Sequence, residues 1–215
     1  MYTNNNKENE INNNYKSDNV AEIIIEIKGF FENNAVINEA KRYDLTLKEN
    51  ISFHDFSLIV SSLKKINKKD FNKDILINNL SIKNDRIARR YLQQNCLILS
   101  FDYAYLNENL SLLDNIKVVS LLFTGFDLSQ ASLSSFGLKE LENEKLKNLT
   151  EEQKKLYVLS YCIACPEIIW IVDEKLLQDL SKESMELFDN AVKIRTKHGG
   201  VVLVIKDKNN ISKNK

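Results

Sequence analysis

Cys162-Ile-Ala-Cys165 has the C-x-x-C spacing shared by redox-active and zinc-binding thiols. A zinc site needs two further ligands, and only Cys96, His54 and His198 remain among the soft donors. The segment instead reads as an apolar helix face ending at Pro166, which makes both thiols buried structural residues. Three cysteines in a chain without a signal peptide also argue against a disulfide framework. A second grouping is Asp173-Glu174, which closes the unbroken apolar run Ile168 to Val172. Taken alone, it is the acidic end of a buried strand entering the loop before the next helix. A third is Thr150-Glu151-Glu152-Gln153, where Thr150 as N-cap and Gln153 three residues on make a capping box. The acids between them suit the positive end of the helix dipole. His198, before Gly199-Gly200, is a helix C-terminal cation or a surface residue.

These groups sit in a chain of 215 residues with 43% hydrophobic and 28% charged side chains, ordinary for one globular domain. Thirty basic residues balance thirty acidic ones, so no global field draws the chain to nucleic acid or an anionic membrane. No apolar run approaches the ~20 residues needed to span a bilayer. The N-terminus has neither a hydrophobic signal region nor an Arg-rich transit pattern. Membrane association is therefore expected only through a partner, without direct insertion. There are five glycines and one proline. The scarcity matters because phosphate-binding loops use glycine to expose backbone N–H groups.

The elements that must position these groups follow from periodicity. Residues 1–19 are polar and Asn-rich and read as a disordered tail, with a second tail at 209–215. Strands are predicted at Ile23 to Ile27, around Asp44 to Lys48, at Ile75 to Ile77 and at Leu97 to Leu99. A helix is predicted over Phe56 to Ile66, with its face at 58, 59, 63 and 66. Another spans Leu112 to Phe123, followed by a loop at Gly125 and a helical lobe of about 103–164. A helix opens at Thr150 and runs to Ala164. Ser181 caps a helix that runs to Lys197 and stops at Gly199-Gly200. The apolar runs Ile168 to Val172 and Val201 to Ile205 flank that last helix. Two unbroken apolar runs around a helix predict a βαβ unit with adjacent parallel strands buried on both faces.

From Leu149 to Asp207 the landmarks come in the order capped helix, proline, apolar strand ending in Asp-Glu, helix, Gly-Gly and apolar strand. This series resembles the C-terminal half of an ABC ATPase nucleotide-binding domain, above all the small ATP-binding subunit of the cytochrome c-maturation haem exporter. Leu110-Ser111-Leu112-Leu113-Asp114-Asn115-Ile116 is similar to the L-T-x-x-E-N-L segment after that family's Q-loop. The resemblance covers roughly residues 97–207. It implies an α/β fold of the P-loop NTPase (RecA-like) type with a small helical lobe, over residues 20–208. It also implies Asp173 as the Mg²⁺-holding Walker B residue and Glu174 as the base that activates water. Thr150 and Gln153 correspond to the signature motif.

Several residues depart from the family. No G-x-x-x-x-G-K-[ST] occurs anywhere, so the phosphate loop is lost. Its expected place holds Ser52-Phe53-His54-Asp55-Phe56-Ser57, in which Ser57 alone corresponds to the Mg²⁺-binding hydroxyl. Each charge-assisted hydrogen bond contributes about 1.5–3 kcal/mol, against about 8 kcal/mol for micromolar binding. Losing several removes useful ATP affinity. Glu151 and Glu152 replace the signature glycines with charge of the same sign as a phosphate. Two like charges about 4 Å apart cost roughly 4 kcal/mol near a surface. Lys206-Asp207 stands where the switch histidine belongs, and Asp102 stands near the place of the Q-loop glutamine.

The resemblance therefore implies a degenerate ATP-binding subunit that docks to integral membrane subunits of an exporter, with little or no hydrolysis. It would lie at the cytoplasmic face of an inner membrane, or on the matrix side in an organelle. No cofactor is expected, or Mg-ATP if the family activity survives, and a homodimer or pairing with another ABC subunit is implied. Two alternatives stay open on the sequence: an unrelated α/β interaction protein, and an ATPase active only with a second, intact subunit. Antiparallel placement of the two apolar runs would end the ABC assignment.

Overall fold

The two apolar runs near the C-terminus are neighbours in one parallel sheet. The computed structural model describes residues 24–61, 63–67, 71–102, 104, 107–165 and 167–208. The expected tails and the helix-breaking role of Pro166 lie outside the described residues. Strand β7 (Ile169–Asp173) pairs in parallel with β8 (Val201–Lys206), from Ile169 opposite Val201 to Asp173 opposite Ile205. Between them runs α6 (Lys182–Lys197), capped by the Ser181 hydroxyl on the Ser184 N–H. Gly199 stops it with φ +83°, a left-handed conformation that costs a glycine little. The sheet continues outward to β3 (Arg42–Thr46) beside β8 and to β6 (Cys96–Leu99) beside β7, all parallel.

Alternate residues of the central strands feed two cores. Trp170, Val172, Val202 and Val204 enter one, and Ile169, Ile171, Leu203 and Ile205 enter the other. Burial on both faces explains why neither strand shows polar alternation. Fully burying each such side chain contributes about 1.5–3 kcal/mol. The first core is completed by α3 (Leu112–Thr124), α4 (Ser129–Ser135), α5 (Glu151–Ala164) and α6. The second is completed by α1 (Phe53–Val60), α2 (Arg86–Asn95) and an antiparallel sheet. That sheet has the order β2 (Ala35–Ile37), β1 (Ile25–Lys28), β4 (Asp74–Ile77) and β5 (Leu80–Ser81).

The structure corrects the helix expected over Phe56 to Ile66. It begins at Phe53, because Ser52 caps it by accepting from the Asp55 N–H, and it ends at Val60. Its buried face is Phe53, Phe56, Ser57 and Val60 with Ile59, whereas Leu63 is 75% exposed. Phe56 decides that face by packing edge-on between Phe30 and Phe31, at ring separations of 5.5 and 5.3 Å. Helix α2 escapes periodicity because only Ala88 and Leu92 of its ten residues are buried. Among the described residues, no helix is long and apolar enough to cross a membrane.

Candidate functional site

Four parallel strands deliver their C-terminal ends to one edge of the sheet, the place where open α/β sheets bind ligands. The chain leaves that edge at Leu47, Asp207, Asp173-Glu174 and Ser100. The N-terminus of α1 enters the same edge, since the Phe53 N–H donates to Asp207 Oδ2 at 2.9 Å. The first free N–H of a helix is a natural anion site, and here the anion is a side chain of the chain itself.

Asp173 is 7% exposed and its Oδ1 accepts from the Lys175 N–H at 3.1 Å. Burial pushes its carboxyl above the ordinary carboxylate value, and the neighbouring Asp207 and Asp102 carboxylates add to the rise. Glu174 faces Lys206, with Oε1 3.7 Å from Nζ, and its Oε2 accepts from Gln178 Nε2 at 3.4 Å. Asp102 lies 4.0 Å from His54 Nδ1, both largely exposed. The edge is thus acidic, with Lys206 answering part of the charge.

The segment joining β3 to α1 turns its backbone donors inward. Leu47 N–H donates to Lys206 O, Lys48 N–H to Phe30 O and Ile51 N–H to Lys48 O, at 2.9, 3.0 and 3.0 Å. Leu47 and Ile51 are themselves in the core, at 0% and 4% exposure. These two buried side chains anchor the loop. The loop is Leu47 to Ser52 rather than the expected Ser52 to Ser57, because α1 begins at Phe53. Ser57 consequently lies a full turn inside α1, fully buried, and its Oγ has no hydrogen-bond partner.

At the start of α5 the capping box is formed. Gln153 N–H donates to Thr150 Oγ1 at 3.2 Å and Thr150 N–H donates to Gln153 Oε1 at 2.9 Å. The two glutamates behave differently from each other. Glu151 is exposed and pairs with Lys154 at 2.7 Å. Glu152 bends back onto α6, where its Oε1 accepts from the Ser181 N–H at 2.8 Å. Hydrogen bonds from Ser184 and from the Ser181 backbone hold its pKa down to about 2. The expectation that both glutamates front an opposing phosphate is therefore corrected for Glu152, whose charge serves the N-terminus of α6.

Cys162 and Cys165 are buried, at 0% and 2% exposure. Burial pushes the Cys165 thiol up to about 12 and raises Cys162 as well, as for structural thiols packed in a core. Sequence reasoning singled out Asp173 and Glu174 but treated Lys206, Asp207 and Asp102 only as departures. Their one signal was position, each following the end of an apolar strand.

The fold is that of an ABC ATP-binding cassette. A dimeric ATP-binding cassette solved in a post-hydrolysis state with ADP and Pi superposes at a TM-score of 0.63, with 15% identity over 87% of this chain and 89% of that one. An ATP-binding subunit of an ABC transporter superposes at 0.62, with 11% identity over 89% and 82%. In sequence, the chain is similar to the cytochrome c biogenesis ATP-binding export protein CcmA. The protein of Rickettsia bellii is 29% identical over 133 residues, 62% of this chain and 64% of that protein. That of Reclinomonas americana is 28% identical over 136 residues, 61% and 58%. The match spans less than two thirds of each relative's length. No protein-family model matches the chain.

Proposed function

We propose that this chain is a degenerate ABC ATP-binding subunit of the cytochrome c biogenesis export type, docking to integral membrane subunits with little or no ATP hydrolysis. The observation that carries the proposal is the Asp207 carboxylate on the Phe53 N–H. A nucleotide phosphate at the head of α1 would have to displace it and approach an edge already holding Asp102, Asp173 and Glu174. The loop before α1 has no glycine, its lysine, Lys48, lies a full turn before the helix start, and three of its N–H groups are committed elsewhere. These residues do not fit Mg-ATP. In this reading Asp173, Glu174, Ser57, Thr150 and Gln153 are vestiges of a nucleotide site.

Docking is supported by one exposed face of α3. Val118, Leu121 and Leu122, with Phe126 just beyond the helix, leave apolar area in water, Leu122 at 78% and Phe126 at 72% exposure. Exposed apolar side chains at i, i+3 and i+4 of one helix support reading this face as an interaction surface. The subunit would lie at the cytoplasmic (or matrix) face of the membrane, held there by its partner.

Hydrolysis of millimolar MgATP by the full chain tests the proposal, with no turnover expected. Micromolar affinity, with hydrolysis that Glu174→Gln abolishes, would overturn it. A second reading rests on Glu152, whose return to Ser181 removes one like charge from the head of α5. In that reading the chain lends α5 to the site of an intact ABC subunit. Stimulation of such a subunit's ATPase by this chain, lost in Thr150→Pro, would favour it.

A further inference from the structure

At the other end of α1 a cavity of about 550 Å³ opens between that helix, residues 64–66 and α2. Its size falls within the ~300–1,000 Å³ typical of small-molecule sites. Lys64, Lys65, Lys83, Arg86, Arg89 and Arg90 line it, and no carboxylate does among the described residues. In a chain whose formal net charge is zero, six cations around one cavity are a local concentration, not a reflection of composition. Arg86 opens α2, whose N-terminus is capped by the Asp85 carboxylate on the Ala88 N–H.

The cavity is also built. Arg89 is held from behind, its Nη1 donating to Ile82 O at 2.9 Å and to Lys83 O at 3.1 Å. Gln93 Nε2 donates to Ser61 O at 3.3 Å and ties α2 to the end of α1. Lys64 is paired with Asp55, at 2.5 Å. Lys65, Arg86 and Arg90 enter no ion pair among the described residues. Ile59, Ile66 and Ile82 give the cavity an apolar lining, with Ile59 and Ile82 less than a tenth exposed.

We propose that this cavity binds a small organic polyphosphate, its charged groups on the arginines and lysines and its organic part against the isoleucines. Planar guanidinium groups match phosphate oxygens two at a time, which favours phosphate over a single carboxylate. Nucleic acid is the weaker occupant, because the cations ring one cavity, without aromatic lining among the described residues, rather than a stripe with stacking platforms. The site is separate from the acidic edge of the sheet and does not rest on the function proposed above.

Titration of the full chain with inorganic tripolyphosphate, and then with ATP in the absence of Mg²⁺, tests the assignment. Saturable one-site binding is expected that weakens at least tenfold in Arg86→Glu/Arg90→Glu and is unchanged in Lys193→Glu, on the exposed face of α6. Both arginines are exposed, and circular dichroism checks that the fold persists. Arg86→Gln/Arg90→Gln carries the same test if charge reversal disturbs folding. Absence of binding, or binding indifferent to these substitutions, overturns the proposal. Binding that Lys193→Glu weakens equally reflects overall charge and also overturns it. Co-sedimentation with phosphatidylglycerol vesicles without binding of soluble polyphosphate does so in favour of a membrane surface.

Discussion

The heads of α1 and α5 solve one problem in two ways. Each helix start presents N–H groups that need acceptors. At α5 the acceptors lie within three residues, in the reciprocal pair of Thr150 and Gln153. At α1, Ser52 satisfies one donor locally, while the Phe53 N–H is met by Asp207 from 154 residues away. The α5 start stands whatever the rest of the chain does. The α1 start depends on the parallel sheet placing the end of β8 beside it. Both show a helix dipole answered by the protein's own oxygens, and Glu152 does the same for α6.

The comparison has measurable consequences. The packed face of α5 should outweigh its cap. Tyr157 is fully buried and edge-on to Tyr161 at 5.4 Å, so Tyr157→Ala is expected to cost about 3–5 kcal/mol in urea denaturation. Asp207→Ala should come next, at about 1–2 kcal/mol, the range for losing a helix cap. Thr150→Ala should cost less, about 0.5–1 kcal/mol, because its site is exposed and water replaces the lost acceptor. If Asp207→Ala proves neutral while Thr150→Ala does not, the long-range cap is no cap and the contrast fails.

The smallest effect concerns pH. Glu152 is held at a pKa of about 2, below its ordinary 4.5. A depressed carboxylate contributes stability that is present above the ordinary value and lost as pH falls toward the folded one. Glu152→Gln should therefore lower stability at neutral pH and flatten the acid limb between those two values. Acid titration followed by circular dichroism measures it. An unchanged limb would mean that Glu152 does not anchor α6.

What the sequence by itself determined is the part governed by local rules. The runs at 168–172 and 201–205 had to be strands buried on both sides, and the helix between them follows from its Ser181 cap and Gly199 stop. The α5 capping box was legible because its two residues sit one turn apart. That no G-x-x-x-x-G-K-[ST] string occurs was equally legible. Only the tertiary structure decided which face of α1 is buried, because Phe30 and Phe31 choose it from a distant segment. It also decided that Asp207 caps α1, that Glu152 serves α6 rather than fronting a phosphate, and that six cations from three segments meet around one cavity. Periodicity and capping act over a few residues of chain. Charge and hydrogen-bond partners act over a few ångströms of space, and only the folded chain brings those two distances together.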